Sequence, residues 1–417
     1  MLKYKKRIIN YGREEFDMPE KMPLDRGALM IIERLRKSGF EANVVGGAVR
    51  NHILGIPVSD IDMTTSATPD VTSALFSDLR VIETGIKHGT VTVLVDGEPY
   101  EITTYRTDGD YLDNRHPECV KFTPNLSEDL ARRDFTVNAI AYNPYDGFTD
   151  LYDGISDIRN RVIRAVGDPE TRFREDALRI LRAIRFASVL GFTVEGNTAS
   201  AVRKTAHLLD NVSRERVFVE WKKLVGGDSA YDVIAEYPDV ILIAIPQLTS
   251  IRLPKRELFD SANEFVRSMA LFYLSSVDSV KSFESAMTAL RTDNKYKRTG
   301  VNALRIVCEY DLTDPVDIRL CAYRNNTDSA FFAIQLAYTV GKLDAAEYSA
   351  ALDVLQNRKL ESVADLDIGG VDLITLGVRG PAVGKMLDAL ALAVIKGECD
   401  NRHDELLSYL KNHIIAG

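Results

Sequence analysis

Two aspartates separated by one residue, Asp60 and Asp62, follow the run Val44-Val45-Gly46-Gly47-Ala48-Val49-Arg50 at close range. In an extended segment side chains alternate between faces, so residues 60 and 62 project together while Ile61 and Met63 turn to the core. Two carboxylates this close repel each other, and both stay ionised only beside a cation. Magnesium suits them, because it takes carboxylate oxygen together with substrate phosphate. The glycines let the backbone come close to an anion and offer it N–H groups. Together these parts read as a metal-dependent nucleotidyl-transfer site. Asp60 and Asp62 are its expected catalytic metal ligands, and Gly46, Gly47 and Arg50 its expected nucleotide contacts. Taken singly, the aspartates also fit a solvated strand face and the glycines an ordinary turn.

Three further stretches extend the candidate set. The strand Tyr100–Tyr105 returns from an Asp96-Gly97 hairpin turn, and alternation puts Glu101 and Thr103 on one face, Ile102 and Thr104 on the other. Glu101 is either a third carboxylate of the site or an exposed strand residue. Arg133, after the acidic helix start Ser127-Glu128-Asp129, either holds a phosphate or pairs on the surface with Asp134 or a helix neighbour, which would contribute little. Residues 167–186 predict a helix capped by Asp168 with Pro169 in its first turn. Asp176, Arg179, Arg182 and Arg185 recur every third residue beside its apolar face. They form either a salt-bridged solvated stripe or a surface for a nucleotide.

The elements that must position these residues follow from periodicity. Ala28, Ile31, Ile32 and Leu35 predict an amphipathic helix over 24–38, capped by Asp25. A strand over 42–45 leads into the glycines, and a second helix is expected after Arg50. Thr68-Pro69 predicts a helix over 69–79. Residues 106–118 are polar and turn-rich, a long loop beside the site. Turn residues from Asp150 to Asp157 mark the expected end of this head. From about 190 to 340 the pattern is helical, with Ser213 as a cap and Lys295-Tyr296-Lys297-Arg298 as a basic patch or helix end. Near the end, Gly377-Val378-Arg379-Gly380-Pro381 is a glycine-rich turn into a helix, suited to a phosphate or to a plain helix junction.

The 417 residues allow about three domains. An apolar fraction of 45% and a charged fraction of 27% are those of globular protein. No apolar run reaches the ~18 residues that span a bilayer, so no membrane association is expected. The N-terminal stretch lacks the apolar core of a signal peptide, and four scattered cysteines form no C-x-x-C. A cytoplasmic chain with free thiols is expected. The net charge of −9 argues against a wholly basic nucleic-acid coat, but not against a local basic surface.

VVGGAVRNHILGIPVSDIDMTTSATPD, YEITTYRTDGDYLDNRHP, RRDFTVNAIAY and EDALRILRAIRFA resemble the class II tRNA nucleotidyltransferases that build the 3′ CCA end, a family shared with bacterial poly(A) polymerases. The resemblance implies an α+β fold: a polymerase-β-like nucleotidyltransferase head with a mixed sheet, then an all-helical neck, body and tail. It implies a head over 1–153, a nucleotide-reading and RNA-binding neck over 154–226, a body over 227–340 and an elbow-binding tail over 341–417. By the same resemblance, Asp60 and Asp62 are the Mg2+ ligands and Glu101 the third carboxylate. Gly46, Gly47, Arg50 and Arg133 contact the nucleotide, and Asp176, Arg179, Arg182 and Arg185 form the reading helix. Asp108, Tyr111, Asp113 and Arg115 belong to a flexible loop whose presence favours full CCA addition, and Arg379 is a tRNA contact. Asn51 departs from the aspartate common after the arginine. The implied substrates are tRNA, CTP and ATP. A poly(A) polymerase and a catalytically inactive RNA-binding protein are the alternatives.

Overall fold

The computed structural model describes residues 18–58, 60–108, 120–358 and 360–414. The loop positions Tyr111, Asp113 and Arg115, and Cys119, lie outside these residues. The described chain forms two compact units, one of residues up to Ala187 with Gly191–Val212, the other of Ser188–Leu190 with Ser213 onward.

The first unit is built on a mixed sheet. Helix α1 (Arg26–Lys37) begins where Asp25 accepts the Ala28 N–H at 2.7 Å, and Ala28, Ile31, Ile32 and Leu35 are all buried. Strand β1 (Ala42–Val45) is buried at every position. Gly46 follows at φ 70°, a backbone that side-chain-bearing residues adopt only with strain. This turn starts α2 (Gly47–Ile53) directly after the strand. The expectation of a helix beginning after Arg50 is thereby corrected, and Arg50 lies within it.

Strand β2 (Asp62–Thr65) pairs antiparallel with β1. After it come α3 (Pro69–Leu75), four residues shorter than its predicted span, and β3 (Arg80–Ile82). The hairpin strands β4 (Thr90–Val95) and β5 (Glu98–Thr104) turn on Asp96 at φ 53° and Gly97 at φ 90°, as the sequence predicts. Short strands β6 (Arg106–Asp108) and β7 (Val120–Phe122) pair with each other. Helix α4 (Leu126–Ala131), β8 (Ile140–Asn143) and β9 (Gly147–Asp150) follow. The seven-stranded sheet runs β3-β4-β5-β2-β1-β8-β9, with β2 and β5 parallel and the other pairs antiparallel. The Asp150 carboxylate then accepts N–H bonds from Gly154 and Ile155 at the start of α5 (Gly154–Asn160).

Helices α6 (Pro169–Glu175) and α7 (Leu178–Leu190) replace the single helix predicted over 167–186. Asp168 caps α6 as expected, accepting the Thr171 N–H at 2.8 Å. The break falls at Asp176, whose backbone is extended and whose Oδ1 accepts the Leu178 N–H at 3.1 Å. A short acidic side chain that bonds its own downstream backbone favours a helix start over a helix interior.

In the second unit, no strand occurs among the described residues from Arg214 onward. Arg267 is buried and donates to the carbonyls of Val225, Gly227, Phe259 and Asp260, tying the surrounding turns together. Lys295 to Arg298 lie at the start of the helix Asn294–Glu309, capped by Asp293. Near the end of the chain a separate core forms around Leu373, Leu390, Leu406 and Leu410. There the turn through Gly377 and Gly380, both at positive φ, delivers the helix Pro381–Lys396 and leaves Arg379 exposed.

Candidate active site

The carboxylates sit where the sheet changes from antiparallel to parallel pairing. Asp62 and Glu101 are register partners on β2 and β5, so their side chains stand side by side on one face. Met63 and Ile102, the next pair along, are buried on the other face. Asp60 lies just before β2, not within it, and Ile61 is only half-buried. Asp62 and Met63 thus alternate as predicted, and Asp60 precedes the strand ladder. Asp60, Asp62 and Glu101 line one cavity of about 660 Å³.

The environment of Asp62 is that of a site waiting for positive charge. Surrounding protein removes much of its hydration, and this burial, then the charges of Glu101 and Asp60, push its carboxyl pKa up; Arg133 acts in the opposite direction. Among the described residues, no three His, Cys, Asp or Glu side chains converge into a metal-holding group of their own. What is present is a hard-oxygen donor set whose mutual repulsion Arg133 offsets only in part. That chemistry fits a cation that keeps water and substrate phosphate as its remaining ligands.

Beside the carboxylates, two guanidiniums hang over the glycine bend. A methyl group on Gly46 would stand 3.4 Å from Arg133 Nη1, and one on Gly47 would stand 3.5 Å from Arg50 Nη2. Arg133 pairs with the fully buried Asp129 at 3.1 Å, not with Asp134, and its Nε is buried without a hydrogen-bond partner. Asp129 also takes Arg132 at 2.8 Å. Burial would raise the Asp129 pKa, but the two arginines outweigh it and hold the carboxyl below its usual range. Arg50 is buried, donating to Asn138 Oδ1 at 2.6 Å and to Asn51 Oδ1 at 2.8 Å. Burial first, then the charge of Arg185, push the Arg50 pKa down to about 10.

The arginines of the neck are not a solvated stripe. Arg179 and Arg185 are buried. Arg179 donates to Glu175 Oε2 at 2.7 Å, to the Arg172 carbonyl at 3.2 Å and to the Arg132 carbonyl at 3.0 Å. Arg182 Nε donates to Asp134 Oδ2 at 2.8 Å. The other oxygen of Asp134 accepts from its neighbour's amide, Phe135 N–H, and from Asn138 Nδ2. Burial opposes ionisation of Asp134, yet Arg182 and the Asn138 bond hold its pKa well below the usual carboxylate range. A continuous chain of bonds thus runs Arg50–Asn138–Asp134–Arg182. Asp176 is half-buried at the helix break, and the Arg179 N–H bonds its backbone carbonyl at 2.9 Å.

Comparison with known proteins bears on the same residues. Residues 42–164 match the family described as the poly A polymerase head domain. Residues 191–239 match its probable RNA-binding region, and 263–410 a tRNA nucleotidyltransferase domain. A CCA-adding enzyme of Ligilactobacillus salivarius is 36% identical over 393 residues, 92% of this chain and 95% of that protein. The chain belongs to the CCA-adding enzyme family. A second member, from Streptococcus suis, is 35% identical over 92% of this chain and 96% of its own length. A crystal structure of the Bacillus stearothermophilus CCA-adding enzyme in complex with CTP superposes with a TM-score of 0.76. It is 31% identical and covers 94% of this chain and 98% of its own. That likeness carries the fold, a polymerase-β-like head with a mixed sheet followed by a helical remainder.

Four residues of the network escape a reading by motif alone: Asp129, Asp134, Asn138 and Phe186. The signal for Asp134 and Asn138 was present, a polar pair at i, i+4 inside an apolar run. Nothing in the spacing joins Asp134 to Arg182.

Among the described residues no helix is long and apolar enough to cross a membrane.

Proposed function

We propose that this chain adds C, C and A to the 3′ end of tRNA without a nucleic-acid template, using CTP and ATP and releasing pyrophosphate. One observation carries the reading. The Asp62–Glu101 pair stands next to a glycine bend overhung by Arg50 and Arg133, acceptor and donor chemistry for a metal–triphosphate on adjoining strands. Kinship with CCA-adding enzymes over almost the whole chain supports it.

Asp60 and Asp62 would hold magnesium, which when bound would neutralise charge on the reacting phosphate and on the leaving pyrophosphate. Glu101 accepts the proton of the attacking 3′-hydroxyl or orients it. The N–H groups at Gly46 and Gly47, with Arg50 and Arg133, bind and orient the triphosphate. Such positioning and charge stabilisation supply most of the catalysis in phosphoryl chemistry.

Base choice is assigned to Asp176 and Arg179, with Arg182 and Arg185 beside them. Cytosine and adenine both show an amino donor next to a ring-nitrogen acceptor. A carboxylate accepts from the first and a guanidinium donates to the second. Uracil and guanine reverse that order, and a site built for one order rejects the other by ~10⁴–10⁵. The Glu175 and carbonyl contacts that hold Arg179 support this role, because a reading group must be kept from rotating to suit the wrong base.

RNA contact is assigned to the neck and to the tail around Arg379, through backbone and shape. A head over 1–153, neck over 154–226, body over 227–340 and tail over 341–417 is the division of labour this implies. Incubation with tRNA lacking its 3′ end tests the whole reading. With CTP and ATP the RNA should lengthen by three nucleotides and stop. A long adenylate tail would favour the poly(A) alternative, and no extension would favour an inactive RNA-binding protein.

A further inference from the structure

Phe186 is nearly fully buried, yet three guanidiniums gather on its ring. The Cζ of Arg185 lies 3.5 Å from the ring centroid, that of Arg50 5.0 Å and that of Arg182 5.3 Å. All fall inside the range in which a cation is drawn to the negative face of an aromatic ring. Behind it, Phe135 meets Phe186 edge-on at 5.7 Å and 81°, so the ring is fixed in place.

The grouping has a cost that needs a reason. Three like charges in a half-dry space repel, and Arg50 registers it: Arg185 and Arg182 both lower its pKa, and only Asp134 among its named influences raises it. Asn51 and Asn138 orient Arg50 but bring no countercharge. An aliphatic side chain at 186 would fill the space but offer the three guanidiniums no negative face. A phenyl ring supplies a polarisable negative surface that adds no formal charge, so it holds the guanidiniums together without neutralising them.

We infer that Phe186 is a positioning residue that holds Arg50 and Arg185 together as one polyanion-binding surface, and that the group it serves is the β,γ-diphosphate portion of the nucleotide. This rests on the reading that Arg50 faces the triphosphate. The ring touches no substrate; it acts through the arginines.

The test is displacement of a fluorescent CTP analogue by CMP, CDP and CTP, without RNA, on the full chain. In Phe186→Leu the affinity for CTP should fall about tenfold, that for CDP less, and that for CMP hardly at all. The CTP-to-UTP preference should stay as in the parent, and Phe186→Tyr should restore CTP binding. If the leucine chain fails to fold by thermal melting, Phe186→Met is read in the same way. A purely structural role would weaken all three nucleotides alike. That outcome, or unchanged binding of all three, overturns the inference. Arg50→Ala separates it from the reading beneath: if that variant keeps the full advantage of CTP over CMP, the triphosphate assignment itself is wrong. If Arg50→Ala loses the advantage and the Phe186 variant does not, only the role of the ring fails.

Discussion

The first unit presents two charged regions of opposite construction. The carboxylates stand exposed, Asp62 at the start of β2, Asp60 just before it and Glu101 opposite on β5, with their charges set against one another at Asp62. The arginines Arg50, Arg179 and Arg185 are buried on helices, each held by side chains or carbonyls far away in sequence, or by an aromatic ring. Strand register aligns Asp62 with Glu101, and Arg133 offsets their repulsion only in part; that is the condition of a site completed by something it binds. The basic group is already stabilised by Asp134, Glu175, Asn138 and Phe186, the condition of a preorganised template. One region is built to react and the other to hold still.

Breaking the acidic side should give the largest effect. Asp60→Ala should lower nucleotide addition by about 10³-fold or more, with tRNA binding retained in a gel-shift assay. Normal incorporation would remove Asp60 from the reaction.

On the basic side the keystone is Asp134. Asp134→Ala takes an acceptor from Asn138 and the Phe135 amide and a carboxylate from Arg182. Loss of one member of a buried pair costs 3–5 kcal/mol; because Arg182 keeps partial access to water, about 3 kcal/mol is expected in urea unfolding.

The same residue sharpens the comparison through pH. A carboxyl whose folded-state pKa is depressed contributes stability that is complete above its unfolded pKa, about 3.9, and is shed as the pH falls toward the folded value. Burial works against ionisation of Asp134, but Arg182 and Asn138 prevail. Asp134→Asn should therefore be less stable than the parent near neutral pH, and the difference should shrink below about pH 4. A constant difference across that window would mean that its charge is not what matters.

The smallest effect belongs to an ion pair outside both regions. Lys37 and Glu33, 3.4 Å apart and largely exposed, should contribute less than about 0.5 kcal/mol. Lys37→Ala should unfold at the parental urea midpoint.

How much of this was legible in the sequence follows from the same contrast. The acidic region rests on short-range rules: period-two alternation places Glu101 opposite Ile102, and Asp96-Gly97 fixes the hairpin. Those rules work within a few residues. They stop at Asp60, which precedes the ladder, and at Gly46, whose positive φ starts α2 earlier than periodicity suggests. The basic region depends on partners 47 and 48 residues apart, Arg179 with the Arg132 carbonyl and Arg182 with Asp134. No spacing rule encodes such a distance, so periodicity alone left the arginines open between a solvated stripe and a nucleotide surface. The break at Asp176 was hidden for another reason: neither glycine nor proline marks it, only a carboxylate that prefers the Leu178 amide.

The central claim is that the exposed acids carry the reaction while the buried arginines bind and select. It is tested most directly by single-turnover addition of one C to tRNA lacking its 3′ end, across CTP concentrations, with Asp62→Asn and Arg50→Ala side by side. The account predicts that the first variant loses the saturating rate with its half-saturating CTP concentration near the parental one. The second should need more CTP and approach the parental rate at saturation. The reverse pattern, or the same pattern in both variants, would contradict it.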